Sequence, residues 1–287
     1  MKDELLIALG KHNTRIYIAS TTNLVQQAKT YFNAYPTSLA ALGRTLSMTA
    51  VMGQMLKGER ESVNVTINGG GEIGTIMAIS KNDGSVKGFC SNPYLYEKDN
   101  DKLAVGKIVG VDGYLSVTKD LHMQSRYTTQ VKLQSGEIGD DFAFYFAKSE
   151  QRPSIVSLGV LVNESGDCES SGVFFVELLP GFEEEDIVYL EDILKKMRPI
   201  SELLREYQNL ESIVGLYFED TEILERKDLR YECDCSKDRF AQGLLTLSES
   251  DLEELSQQEE IEIRCDFCNK IYKFSKQEIL DLRKKNV

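Results

Sequence analysis

Residues 231–240 read YECDCSKDRF and residues 261–274 read IEIRCDFCNKIYKF, so four of the chain's six cysteines fall in two tight pairs, Cys233 with Cys235 and Cys265 with Cys268. Four thiolates suit a tetrahedral zinc ion, and two pairs separated by a helical insert are a usual way to build a closed structural site. With all four used, no coordination position is left for water, so such a metal is not a hydrolytic catalyst. The first pair is unusual, because zinc sites typically space their cysteines by two or more residues and here Asp234 stands alone between them. A disulfide within that pair requires a bent, strained backbone, and strained disulfides are the oxidising, labile ones of regulatory or catalytic sites. Zinc holds thiols as oxidisable thiolates, so an oxidant that bridges either pair also ejects the metal and unfolds what the metal organised.

The rest of the composition narrows the setting. The N-terminus, MKDELLIALGKHNTRIYIAS, lacks the layout of a signal peptide, and no apolar run approaches the roughly eighteen residues of a membrane span. A cytosolic location follows as the expectation, where static disulfides are disfavoured and a cysteine cluster points to a metal site or a redox device. The formal net charge of -13 repels phosphates and disfavours a nucleic-acid-binding zinc ribbon.

At 287 residues the chain has room for one large domain and a small one. From residue 14, TRIYIAS alternates as a strand; a helix from about Asn23 to Tyr35 ends at Pro36, and a second covers SLAALGRTLSMTAVMGQMLK. From Ser62 to about Val162 the pattern is strand-rich and largely antiparallel, interrupted by a helix at 137–150, EIGDDFAFYFAKSE. SIVSLGVLV and GVFFVELL continue as strands. Beyond Pro180 charge and helical spacing replace sheet: EEEDIVYLEDILKKM and PISELLREYQNLESIVGLYFED predict amphipathic helices whose stability depends on docking elsewhere. In the last unit Ser236 caps a helix to about Leu247, Ser250 with Glu253 and Ser275 with Glu278 form capping boxes, and IEIRC alternates as a strand. A unit this small needs a staple, which the cysteines supply.

The two cysteine motifs with their flanks, the central DDFAFYFAKSEQRPSIVSLGV and the upstream NGGGEIG together resemble the redox-regulated heat-shock holdase family, heat-shock protein thirty-three. The resemblance implies an ATP-independent chaperone that prevents aggregation of unfolding proteins under oxidative stress. It implies a reduced, inactive form with one Zn2+ on Cys233, Cys235, Cys265 and Cys268, and activation by two disulfides, Cys233 with Cys235 and Cys265 with Cys268, with zinc release. It implies a linker that unfolds on activation, and a homodimer when oxidised. On this reading the chain is α+β: a mixed, largely antiparallel sheet with helices over 1–180 that binds substrate, a helical redox-sensitive linker over 181–230, and a zinc-binding switch domain over 231–287. If the zinc unit clamps the linker, loss of the metal frees a marginal segment to expose its apolar faces. Partners are then unfolded polypeptides, with no nucleic acid, nucleotide or membrane.

Other features take plainer readings. Gly69 to Gly74 contains a formal G-x-G-x-x-G, but strand-like residues follow it where a dinucleotide site needs a helix, so a glycine-rich hairpin or bulge is expected. Asp140, Asp141 and Glu150 serve a helix dipole rather than acid-base chemistry. His12 and His122 lie in no catalytic motif, and Cys90 and Cys168 read as incidental thiols in strand and loop contexts. The linker's apolar stripes fit plain core as well as client binding. Two rivals remain: a thiol-disulfide oxidoreductase using C-x-C or C-x-x-C, although such enzymes set the pair at a helix N-terminus, and a structural zinc protein that docks to a partner.

Overall fold

A computed structural model describes residues 1–123 and 126–285. The chain divides into two compact units, Met1–Glu232 and Cys233–Val287. In the first, β1 (Glu4–Leu9) and β2 (Thr14–Ser20) form a hairpin, followed by α1 (Thr22–Phe32) and α2 (Pro36–Gln54). A run of strands then follows: β3 (Ser62–Asn68), β4 (Ile76–Lys81), β5 (Ser85–Cys90) and the short β6 (Lys98–Asp99) and β7 (Lys102–Leu103). After α3 (Val105–Val109) come β8 (Tyr114–Asp120), β9 (Tyr127–Lys132), α4 (Gly139–Ser149), β10 (Ser154–Val162) and β11 (Cys168–Leu178). The segment beyond holds α5 (Glu184–Lys196), α6 (Ile200–Glu206), α7 (Leu210–Val214), β12 (Glu222–Asp228) and β13 (Arg230–Tyr231).

The expected α+β architecture with largely antiparallel pairing is present, and its strands divide between two sheets. One has the order β10-β11-β2-β1-β12, the other β13-β5-β4-β3-β8-β9. The single parallel contact among the described pairs is β13 on β5. Helix α2 lies in the core shared by the two sheets, with every residue from Thr37 to Gln54 buried except Arg44. Its small residues permit this: a side chain on Gly43 would collide with Val25 and Val160, and one on Gly53 with Ser80 and the Lys81 carbonyl.

The first sheet is apolar on both faces. Leu5, Ile7, Tyr17, Ala19, Val173 and Phe175 face the α2 core, while Leu6, Ala8, Ile16, Ile18, Phe174 and Val176 belong to a second core. That second core is completed by Leu190, Ile193, Ile200, Leu203, Leu210, Ile213 and Phe218 from α5 to α7 and the turn beyond. These helices are too short to be stable alone, so the sheet face holds them and they hide it.

Two strands lie where none was expected. ELLIAL of β1 is buried on both faces and therefore shows a continuous apolar run instead of alternation. EILERKD of β12, inside the segment read as helical, pairs antiparallel with β1 at the sheet edge, and its charge is that of an edge strand in water. The chain then crosses to the other sheet, where the Tyr231 hydroxyl donates to the Gly88 carbonyl at 2.8 Å. The glycine-rich segment 69–75 connects the antiparallel pair β3 and β4 with no helix after it, and Gly71 N–H donates to the Val109 carbonyl at 3.0 Å, so the expected hairpin reading stands. No described helix is long and apolar enough to cross a membrane.

The acids of the 137–150 helix are structural. Fully buried Asp141 accepts from the backbone N–H of Gln134 at 2.6 Å, Ser135 at 3.2 Å, Gly136 at 3.4 Å and Ile138 at 2.9 Å. Asp140 takes the Ser135 hydroxyl at 2.7 Å, and Glu150 binds Lys119 at 2.7 Å and the Tyr145 hydroxyl at 2.6 Å. Cys90 ends β5 and Cys168 opens β11; burial pushes both thiols up to about 12. His122 Nε2 lies 2.5 Å from the Arg60 carbonyl oxygen.

His12 has a role that its sequence context did not reveal. Its Nδ1 lies 3.2 Å from Asp186 Oδ1, its ring stacks on Tyr189 with centroids 4.2 Å apart, and Asn13 donates to Asp186 Oδ2 at 3.2 Å. The β1–β2 turn thus holds the first turn of α5. Asp186 is a long-range partner, so no local motif marks the histidine.

Asp141→Ala strands four backbone N–H groups and should cost about 3 kcal/mol in urea unfolding of the first unit. The Asp186 carboxyl lies below its ordinary 3.8 because the Glu183 N–H, Asn13 and His12 stabilise its charged form against burial. Its stabilisation is present above 3.8 and is lost as pH falls through the lower folded value. Hydrogen-exchange protection of α5 should accordingly decline in acid below about pH 4, and Asp186→Asn should show weaker protection without that decline.

Candidate metal centre

The second unit contains α8 (Lys237–Leu244), α9 (Glu249–Leu255), β14 (Glu260–Arg264), β15 (Ile271–Ser275) and α10 (Lys276–Lys285). Ser236 caps α8 by accepting from Arg239 N–H at 3.2 Å. At α10 the Ser275 hydroxyl and Glu278 carboxylate cap each other's backbone N–H, as the spacing predicts. For α9 the cap falls on Ser248, which accepts from Asp251 N–H at 3.2 Å, and not on Ser250. SESDLEEL offers both registers; the helix adopts the one in which Leu252 is fully buried. The core of the unit is small, built from Leu244, Leu252, Ile261, Tyr272, Phe274 and Ile279.

Cys233 and Cys235 stand on the extended chain before α8, where Arg239 holds Asp234 by its carbonyl at 2.9 Å and its carboxylate at 2.7 Å. Cys265 follows β14, and Cys268 sits in the turn to β15. That turn is closed by Cys265 N–H to the Lys270 carbonyl at 3.0 Å and by Asn269 N–H to the Cys265 carbonyl at 2.8 Å, with Asn269 at φ +59. This is a strand-turn-strand knuckle, not the helix N-terminus that activates an attacking thiol in an oxidoreductase.

Folding brings the four sulfurs together. They lie within 4.8 Å of one another, with Cys233 to Cys265 at 3.6 Å and Cys235 to Cys268 at 3.5 Å. A tetrahedron of sulfurs about 2.3 Å from a central zinc has edges of roughly 3.8 Å, so the donor set fits such an ion with little movement. Cys265 is buried and the other three are half-buried. The Tyr272 hydroxyl lies 2.9 Å from the Cys235 carbonyl oxygen and 3.1 Å from its sulfur, so its one proton is shared between them. Burial pushes the Cys233 and Cys268 thiols up. Burial opposes ionisation of Cys235 too, but hydrogen bonds from Tyr272 and the neighbouring thiols outweigh it and draw that thiol down.

A second group able to approach a cation, His12 with Glu185 and Asp186, is already engaged in holding α5. Cobalt(II) titrated into reduced, metal-free protein should give intense thiolate charge-transfer absorption that saturates at about one ion per chain. Cys265→Ser should lose that signal and leave the second unit unfolded, read as amide exchange at random-coil rates over 233–285.

The family model described as Hsp33 protein matches residues 3–275. The chain is 41% identical over 273 residues to the 33 kDa chaperonin of Bacillus licheniformis, covering 94% of each. It is 39% identical over 290 residues to that of Clostridioides difficile, covering 99% of each. The crystal structure of the 33 kDa chaperonin (heat shock protein 33 homolog) of Thermotoga maritima superposes with a TM-score of 0.89 at 30% identity, covering 99% of both chains. With a match spanning nearly its whole length, the chain belongs to the Hsp33 family of chaperones.

Proposed function

We propose that this protein is a cytoplasmic, ATP-independent holdase switched by oxidation, which binds unfolding polypeptides and does not transform them chemically. The observation that carries this reading is the pairing of a four-cysteine centre with a preceding segment whose helices cover an apolar sheet face. Bound Zn2+ would keep Cys233, Cys235, Cys265 and Cys268 as thiolates and staple the small second unit. Two equivalents of peroxide then take four electrons from four thiolates. Cys233 joins Cys235, Cys265 joins Cys268, the four peroxide oxygens take up four protons from solvent and leave as water, and the ligand set that would hold the ion is lost.

The rest follows from marginal stability. The second unit has six core residues to hold it, and Cys233 directly follows Glu232, whose N–H donates to the Val86 carbonyl at 2.9 Å. Unfolding of the second unit propagates into the chain ahead of it, where α5 to α7 depend on docking. Their release bares Leu6, Ile16, Ile18, Phe174 and Val176, an apolar surface that unfolded clients or a second copy in an oxidised homodimer would cover. Polypeptide is the partner on this reading; nucleic acid, nucleotide and membrane are not.

Light scattering tests it: a chemically unfolded client is diluted into reduced, zinc-loaded protein or into protein treated with peroxide at elevated temperature. Suppression of scattering by the oxidised form only is the expected result, with the two disulfides mapped by peptide mass and faster amide exchange over 183–230. Equal failure of both forms, or equal protection of 183–230 before and after oxidation, would sink the switch.

A further inference from the structure

The first sheet ends in two very different edges. At β12, five of seven residues are charged, Glu222, Glu225, Arg226, Lys227 and Asp228, which is how natural proteins keep an open strand from pairing with other chains. The edges of the second sheet are β13, which has two residues and contains Arg230, and β9, which contains Lys132. β10 is different: SIVSLGVLV is nine residues long and has neither a charge nor a proline. Its only irregularity is a register shift between Leu161 and Val162.

β10 pairs with β11 on one side and, among the described residues, with no strand on the other. Its first half is shielded by the start of α4, where a side chain on Gly139 would meet the Val156 carbonyl oxygen. Its second half is open. Leu158–Val162 forms one wall of a cleft of about 1700 Å3, and no hydrogen bond among the described residues reaches its outer backbone groups. The same cleft is lined by Tyr35 and Tyr96, 48% and 54% exposed, by charged side chains such as Lys98 and Lys102, and by Pro199, Ser201 and Glu202 from the start of α6.

A strand edge calls for a specific kind of partner. Alternating N–H and C=O groups spaced along an extended backbone are satisfied together only by another extended backbone about 4.8 Å away. The volume exceeds the roughly 300–1,000 Å3 of small-molecule pockets. The edge lines a cleft together with residues of α2, β7 and α6 instead of standing on a bare flank, which admits a single chain more readily than the rigid sheet of a second folded copy. Exposed tyrosines give such a chain aromatic contacts without sequence demands.

We propose that the free edge of β10 at Leu158–Val162 is a client-binding edge, where an extended, uncharged segment of an unfolding polypeptide adds as a further strand of the first sheet. This rests on the client-holding function proposed above and deepens it by naming a backbone-recognition site. Because α6 forms one wall, undocking of the linker widens access, so the edge and the sheet face become available together. An unguarded edge strand is an aggregation hazard in an ordinary protein. In a chaperone the same feature captures segments that would otherwise pair with each other.

The experiment uses the oxidised full-length protein and reduced, carboxymethylated ribonuclease as a permanently unfolded client. Amides within Leu158–Val162 should exchange about tenfold more slowly at saturating client, in the alternate pattern of a one-sided strand pairing. Leu161→Lys, a change at a half-exposed position on the cleft, should weaken client binding about tenfold. Client binding that leaves exchange at 158–162 unchanged overturns the site and spares the holdase reading. Protection that appears without client and grows with protein concentration assigns the edge to self-pairing and overturns it as well. Failure of the oxidised wild-type protein to bind the unfolded chain at all would strike the holdase reading itself.

Discussion

A five-stranded sheet with two apolar faces cannot stand in water with one face bare. The inner face is closed by α2 and the second sheet. The outer face is closed by α5 to α7, which have little stability apart from what the sheet lends them. This mutual dependence organises the rest of the first unit. It explains why β1 and the Val173–Val176 part of β11 are apolar runs, why the β1–β2 turn spends His12 and Asn13 on Asp186, and why the chain after α7 returns to the sheet edge as β12.

The second unit solves the opposite problem. Among its described residues the apolar core comprises six buried side chains, a small core for an independent unit, and the fold places four sulfurs within 4.8 Å of one another beside it. Stability supplied by a coordination sphere differs from stability supplied by burial in being removable by chemistry. An oxidant leaves a hydrophobic core untouched but destroys a thiolate ligand set. On the function proposed above, a sheet unit held by burial and a cysteine unit held by a metal would separate the sensing of oxidation from the surface that acts on it.

Much of this was legible locally. The pairs Cys233/Cys235 and Cys265/Cys268 mark a candidate sulfur cluster because their spacing is written along the chain, and folding brings the four sulfurs within 4.8 Å of one another. The caps at Ser236 and at Ser275 with Glu278 were readable for the same reason, since a cap is an interaction within one turn. The α9 cap moved from Ser250 to Ser248 because two local registers were nearly equivalent and burial of Leu252 chose between them. β12 escaped notice because a charged edge strand has no apolar alternation to betray it, and the division of strands into two sheets depends on which faces α2 can fill.

Local pattern alone specifies the two cysteine pairs, the helix and strand types of the strongly patterned segments, the hairpin nature of the Gly69–Gly74 stretch and the dependence of α5 to α7 on docking. These rest on periodicity, spacing and turn chemistry, which act over a few residues. Long-range packing sets the rest: α5 to α7 cover the outer face of the first sheet, His12 meets Asp186, and β10 keeps an open edge beside a cleft. Those are contacts between distant parts of the chain or vacancies left by them, and both are fixed by how whole faces pack, which no short window of residues encodes.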